Sequence, residues 1–130
     1  MRFTRVQLYF HLVWSTWDRA PLITPDLEPR LYAFMLNRAS EMRARVLAIG
    51  GTRDHVHLLV RLPATTVLAD VVGRIKGASS HFATHALGRD FRWQGGYAAY
   101  SVSRAGVPRV REYVLNQKVR HGLQEIANPP

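Results

Sequence analysis

The run Asp54-His55-Val56-His57-Leu58-Leu59-Val60 sets two histidines around one apolar residue inside an apolar stretch. A strand alternates its faces, so Val56, Leu58 and Val60 point one way and His55, His57, Leu59 and Arg61 the other. The two imidazoles then sit about 6.6 Å apart at their Cα atoms, which lets both rings converge on one metal ion. A second candidate group lies near the end of the chain. Tyr113 and Gln117 are four residues apart and share a helical face, along the edge of an apolar stripe of Val107, Val110 and Val114. Two neutral imidazoles with an amide oxygen make a mixed nitrogen and oxygen site whose open positions suit Mg2+ or Mn2+ with water and phosphate ligands. Such a metal polarises a bound phosphodiester. A tyrosine hydroxyl beside it could attack phosphorus, given activation, because it ordinarily ionises near pH of about 10. The product would be a phosphotyrosine, which keeps the bond energy so that the strand can be resealed elsewhere.

These groups need elements to position them. Residues 6–15 alternate Val6, Leu8, Phe10, Leu12 and Trp14 with more polar neighbours and read as a strand. Residues 18–29 hold three prolines and form a connection into a helix over 27–44. A short apolar strand over 46–49 is ended by Gly50-Gly51, and Thr52, Arg53 and Asp54 make a tight hairpin turn into the histidine strand, 55–61. Thr65 or Thr66 is placed to cap a second helix whose apolar stripe runs to about residue 87. An aromatic loop over 91–97 carries Gly95-Gly96, a strand follows over 98–103, and a last helix over 107–123 has Pro108 in its first turn. The order β-α-β-β-α-β plus a helix is that of a ferredoxin-like split βαβ fold. It is an α+β class with an antiparallel sheet, helices on one face, and an additional C-terminal helix carrying the tyrosine. The 130 residues are expected to form one domain.

Composition narrows the function. There is no cysteine, which excludes thiolate chemistry and a disulfide scaffold. No apolar run approaches about 18 residues and the N-terminus lacks a signal-peptide core, so the expected location is the cytoplasm, without a membrane partner. Eighteen Lys and Arg face nine Asp and Glu, a net charge of +9, and all but Lys76 and Lys118 of the basic residues are arginine. Arginine suits phosphate forks and base stacking, which points to a nucleic-acid partner and, for this protein, to the nucleoid. Candidate DNA contacts are Arg74, Lys76 and the Ser79-Ser80 pair on the second helix, and Arg109 and Arg120 on the last. A solvated helix face explains the second-helix residues as well. Trp93, Phe91 and Tyr97 could stack on unpaired bases, or equally pack a dimer or cap the core. His11 reads as a satisfied sheet histidine and His121 as a structural or phosphate-contacting residue. His81 and His85, at a spacing able to bind metal, read as surface residues.

At these residues the chain resembles a known family. His55-Val56-His57 resembles the HUH motif, and Tyr113 with Gln117 its single-tyrosine partner helix. Further blocks are HLVWSTWDRAPLI at 11–23, IGGTRDHVHLLVRLP at 49–63, IKGASS at 75–80, FRWQGGYAAYSVS at 91–103 and YVLNQ at 113–117. In this order they resemble the IS200/IS605-like transposases, the Y1 or REP-associated tyrosine group. The resemblance implies homodimers that recognise hairpins in single-stranded DNA and cleave one strand through a 5′-phosphotyrosine. The tyrosine helix of one subunit often completes the other's site. It implies His55, His57 and Gln117 as metal ligands and Tyr113 as nucleophile. It also leaves a second reading, a domesticated hairpin-binding protein that nicks but does not transpose. A histidine-triad hydrolase would need a third alternating histidine where Leu59 stands, and an HxHxDH hydrolase is excluded by Leu58-Leu59-Val60.

Overall fold

The computed structural model describes residues 5–119. Its strands are β1 (Leu8–Ser15), β2 (Arg45–Gly51), β3 (His55–Leu62) and β4 (Ala98–Val102), and its helices α1 (Leu27–Glu41), α2 (Leu68–His81) and α3 (Val107–Leu115). The strands form one antiparallel sheet in the order β2-β3-β1-β4. With the chain order this is the ferredoxin-like α+β arrangement that the sequence predicts.

The helices form where apolar residues recur at helical spacing. Leu27, Leu31, Met35 and Ala39, each four apart, are the buried residues of α1, and Val71, Val72, Ile75 and Ser79 are those of α2. Both helices pack on one face of the sheet, against Leu12, Trp14, Val56, Leu58 and Val60. On the other face Val114 of α3 packs with Ala48 and Leu59, flanked by Val107 and Val110. The central strand β3 is therefore covered on both sides, and every residue from His55 to Val60 is buried. Histidines in that position must find hydrogen-bond partners inside the protein.

Several element ends differ from the sequence expectation. Helix α1 stops at Glu41 because Arg43 takes a left-handed φ of 60° and turns the chain into β2. Neither Thr65 nor Thr66 caps α2; Val67 precedes it without a side-chain cap. Strand β2 does not stop before Gly50 and Gly51; both belong to it and pair with His57 and Val56. Their function is close approach: a Cβ on Gly50 would lie 2.2 Å from the Val114 carbonyl oxygen. The last helix is broken at Asn116 (φ −104°, ψ 22°), and helical backbone resumes at Gln117. The rest of its expected span lies outside the described residues. Among the described residues no helix is long and apolar enough to cross a membrane.

Gly50→Ala must push α3 away from β2. Overpacking of this kind should cost about 1–3 kcal/mol, read as a lower midpoint in thermal denaturation.

Candidate active site

The β3 pairing directs His55 and His57 to the face that α3 covers, where they are 7% and 6% exposed. Each ring is held at Nδ1. His55 Nδ1 lies 2.7 Å from Asp54 Oδ1 and 2.8 Å from the Thr52 hydroxyl, both in the hairpin turn. The turn is anchored in its own right, since the Thr16 amide donates to the Asp54 carbonyl at 2.8 Å. Burial pushes the Asp54 carboxyl up, but hydrogen bonds from His55 and Thr52, with Arg19 beside it, outweigh this and hold it below its usual value. His57 Nδ1 lies 2.8 Å from His11 Nε2, and the two rings stack at 5.1 Å. Burial lowers the His11 pKa, which favours a neutral ring whose Nε2 can accept. A carboxylate at one ring and an imidazole at the other fix the orientation of both histidines, as the outer partners of metal-bound histidines commonly do.

Helix α3 brings the second group. The Tyr113 ring is 5.7 Å from both His57 and His11, edge-on to each. Gln117 is 2% exposed, and its Nε2 donates to the Tyr113 carbonyl at 2.8 Å. That bond fixes the amide, so Oε1 is the atom it can offer to a metal. Lys118 secures the end of this segment by donating to Glu28 at 2.8 Å and to the Gly51 carbonyl at 3.0 Å. His55, His57, Tyr113 and Gln117 all line one cavity of about 500 Å³, rimmed by Arg19 and by residues 94–98. Among the described residues no three His, Asp or Glu side chains gather to hold a metal. Two imidazoles and an amide oxygen border the cavity, nitrogen and oxygen donors of the types that bind divalent metals.

Residues 4–117 match the family described as Transposase IS200 like. The chain belongs to the IS200-like transposases. A structure from Deinococcus radiodurans R1, described as a candidate transposase, has a TM-score of 0.69 at 24% identity, covering 90% of this chain and 98% of that one. A REP-associated tyrosine transposase bound to a REP hairpin has the same TM-score at 17% identity, covering 94% of this chain and 74% of that one. These two likenesses bear on the fold. No curated protein matches the chain in sequence.

In this transposase the other expected DNA contacts are placed differently. Trp93 is 6% exposed, edge-on to Trp14 and Phe91, and its indole N–H donates to Ser79 Oγ at 2.9 Å. This corrects the expectation that Trp93 stacks on bases, and it gives Ser79 an interior partner. The Lys76 amine is bound to the protein's own backbone, donating to the carbonyls of Gln94 and Gly96 at 2.7 Å each. Burial lowers its pKa. Lys76 thus clasps a glycine bulge, with Gly96 at φ 104°, on the cavity rim. Arg74 is exposed on α2, on the sheet face away from the cavity. Arg109 is exposed on α3 and lines a separate recess with His11 and Tyr100. Arg120 and His121 lie outside the described residues. His81 and His85 are both exposed. The residue that sequence reasoning missed is His11. Its signal was its parity on β1: it points to the face opposite Leu12 and Trp14, the face that the HUH pair uses.

Lys76→Met should release the rim. Amide hydrogen exchange over residues 94–97 should speed up, while exchange in β1 and β3 should stay slow.

Proposed function

We propose that this transposase cuts and rejoins single-stranded DNA at hairpin-flanked sites, with Tyr113 as nucleophile. The observation that carries the reading is the meeting of Tyr113 and Gln117 with His55 and His57 in one cavity. His55, His57 and Gln117 would hold Mg2+ or Mn2+, and the chemistry it supplies when bound is polarisation of the scissile phosphate and relief of its developing charge. The chain's own residues do the rest. Asp54 and His11 keep the two imidazoles in their ligating orientation. The Tyr113 hydroxyl gives its proton to water and attacks phosphorus; the Oη–P bond forms as the P–O3′ bond breaks, and the departing 3′ oxygen takes a proton from water. The 3′ oxygen leaves as a hydroxyl, and the 5′ phosphate stays on the tyrosine. Attack on that phosphotyrosine by another 3′ hydroxyl reverses the exchange and joins a new strand.

Both halves of the site come from one chain, with the rings of Tyr113 and His57 5.7 Å apart. This supports attack within a subunit, and a homodimer would then serve to hold two DNA ends. Hairpin DNA as partner is supported by the REP hairpin bound to the transposase of similar fold. The net charge of +9 suits a phosphate backbone. A DNA substrate would make the nucleoid its place of work.

Incubated with a labelled single-stranded hairpin from the DNA flanking its gene and with Mg2+ or Mn2+, the protein should form an adduct that survives denaturation. Tyr113→Phe should form none. A hairpin bound tightly by wild type without any adduct would overturn Tyr113 as nucleophile. His11→Phe removes the acceptor for His57 and should weaken Mn2+ binding about 10- to 100-fold by calorimetric titration. His11→Gln, which keeps an acceptor, should recover most of that loss.

A further inference from the structure

We propose that Trp17, backed by Arg92, is a stacking platform for an unpaired base of the DNA strand that enters the cavity. The inference rests on the single-strand chemistry proposed above and names a contact for it. Of the three tryptophans, Trp14 and Trp93 are 3% and 6% exposed and belong to the core, whereas Trp17 is 45% exposed. The Arg92 guanidinium lies 3.9 Å from the centre of its ring, over one face. Backbone bonds tie the pair together: the Trp17 amide donates to the Arg92 carbonyl and the Gln94 amide to the Ser15 carbonyl, at 2.8 and 2.9 Å.

The platform is attached to the site. Ser15 and Arg19, on either side of Trp17, line the cavity, and so does Gln94, whose side-chain oxygen accepts from the Asp18 amide at 3.2 Å. The turn that presents Trp17 is also unusual. Asp18 and Arg19 follow each other in the left-handed region, at φ 56° and 52°, where residues other than glycine are costly. Strained backbone next to an exposed aromatic ring is the kind of feature that marks a contact site. An indole face against a guanidinium is the chemistry of base recognition without sequence readout: the ring stacks on any base, and the arginine adds a cation–π contribution. It is also the position that the buried Trp93 does not fill.

The test uses the full chain carrying Tyr113→Phe, so that binding is read without covalent capture. The probe is a labelled oligothymidylate of about 12 nucleotides. Anisotropy should show about 5- to 100-fold weaker binding for Trp17→Ala. Trp17→Phe should recover most of the affinity, and Arg92→Ala should fall between the two. Oligothymidylate should quench the intrinsic fluorescence of the parent, and the quench should be absent in Trp17→Ala. Equal affinity of Trp17→Ala and its parent, or a quench that persists without Trp17, overturns the platform. So does a shift in the sedimentation of DNA-free Trp17→Ala with unchanged DNA affinity, which would make Trp17 a protein contact. The failures are separable. A Tyr113 adduct with no effect of Trp17→Ala sinks this inference alone, whereas a chain that binds neither oligothymidylate nor the flanking hairpin sinks the proposed single-strand chemistry with it.

Discussion

The contact between β2 and α3 is the constraint on which the site depends. Gly50 stands opposite His57 in the sheet, and the Val114 carbonyl occupies the space that any side chain there would need. Only a missing Cβ lets the helix sit this low. Its depth brings the Tyr113 ring beside His57 and buries Gln117. Val114 alone is a modest anchor, with Ala48 and Leu59 as its buried neighbours. Lys118 and its bonds to Glu28 and Gly51 add a polar fastening at the far end of the same segment. A helix held by so small an apolar patch relies on fit more than on buried area.

The second constraint is polar. Two histidines lie between a sheet and a helix, so the fold must satisfy their ring nitrogens or lose stability. It does so with groups from separate stretches: Asp54 and Thr52 from the hairpin turn, and His11 from the neighbouring strand. The same bonds that make burial tolerable also orient the rings. Stability and chemical readiness are thus provided by one set of contacts, and a substitution at Asp54 or His11 would disturb both.

Much of this was legible in the sequence, for identifiable reasons. Element order followed from hydrophobic periodicity, and the HUH pair from strand alternation, because both are local patterns. The pairing of His55 and His57 with Tyr113 and Gln117 was legible through the family blocks. What the sequence did not show was where tertiary contacts overrode local signals. Gly50 looked like punctuation because the helix that requires it lies more than 60 residues away. Lys76 and Trp93 looked like surface chemistry because their partners, backbone carbonyls of a bulge and the Ser79 hydroxyl, exist only in the folded chain. His11 looked incidental because its register beside His57 is set by the pairing of β1 with β3.

The topology has a kinetic consequence. Strand β1 lies at the centre of the sheet, yet its two neighbours arrive much later in the chain, β3 after a helix and a strand and β4 after a further helix. Contacts of such long sequence separation close slowly, because loop entropy is lost before pairing is gained. His11 must wait for β3 to find His57, and both must wait for β4 and α3 before a tyrosine stands over them. A chain in which α3 has not docked therefore holds the histidines without Tyr113 beside them. The four residues of the candidate site share one cavity only once α3 has docked on β2 and β3.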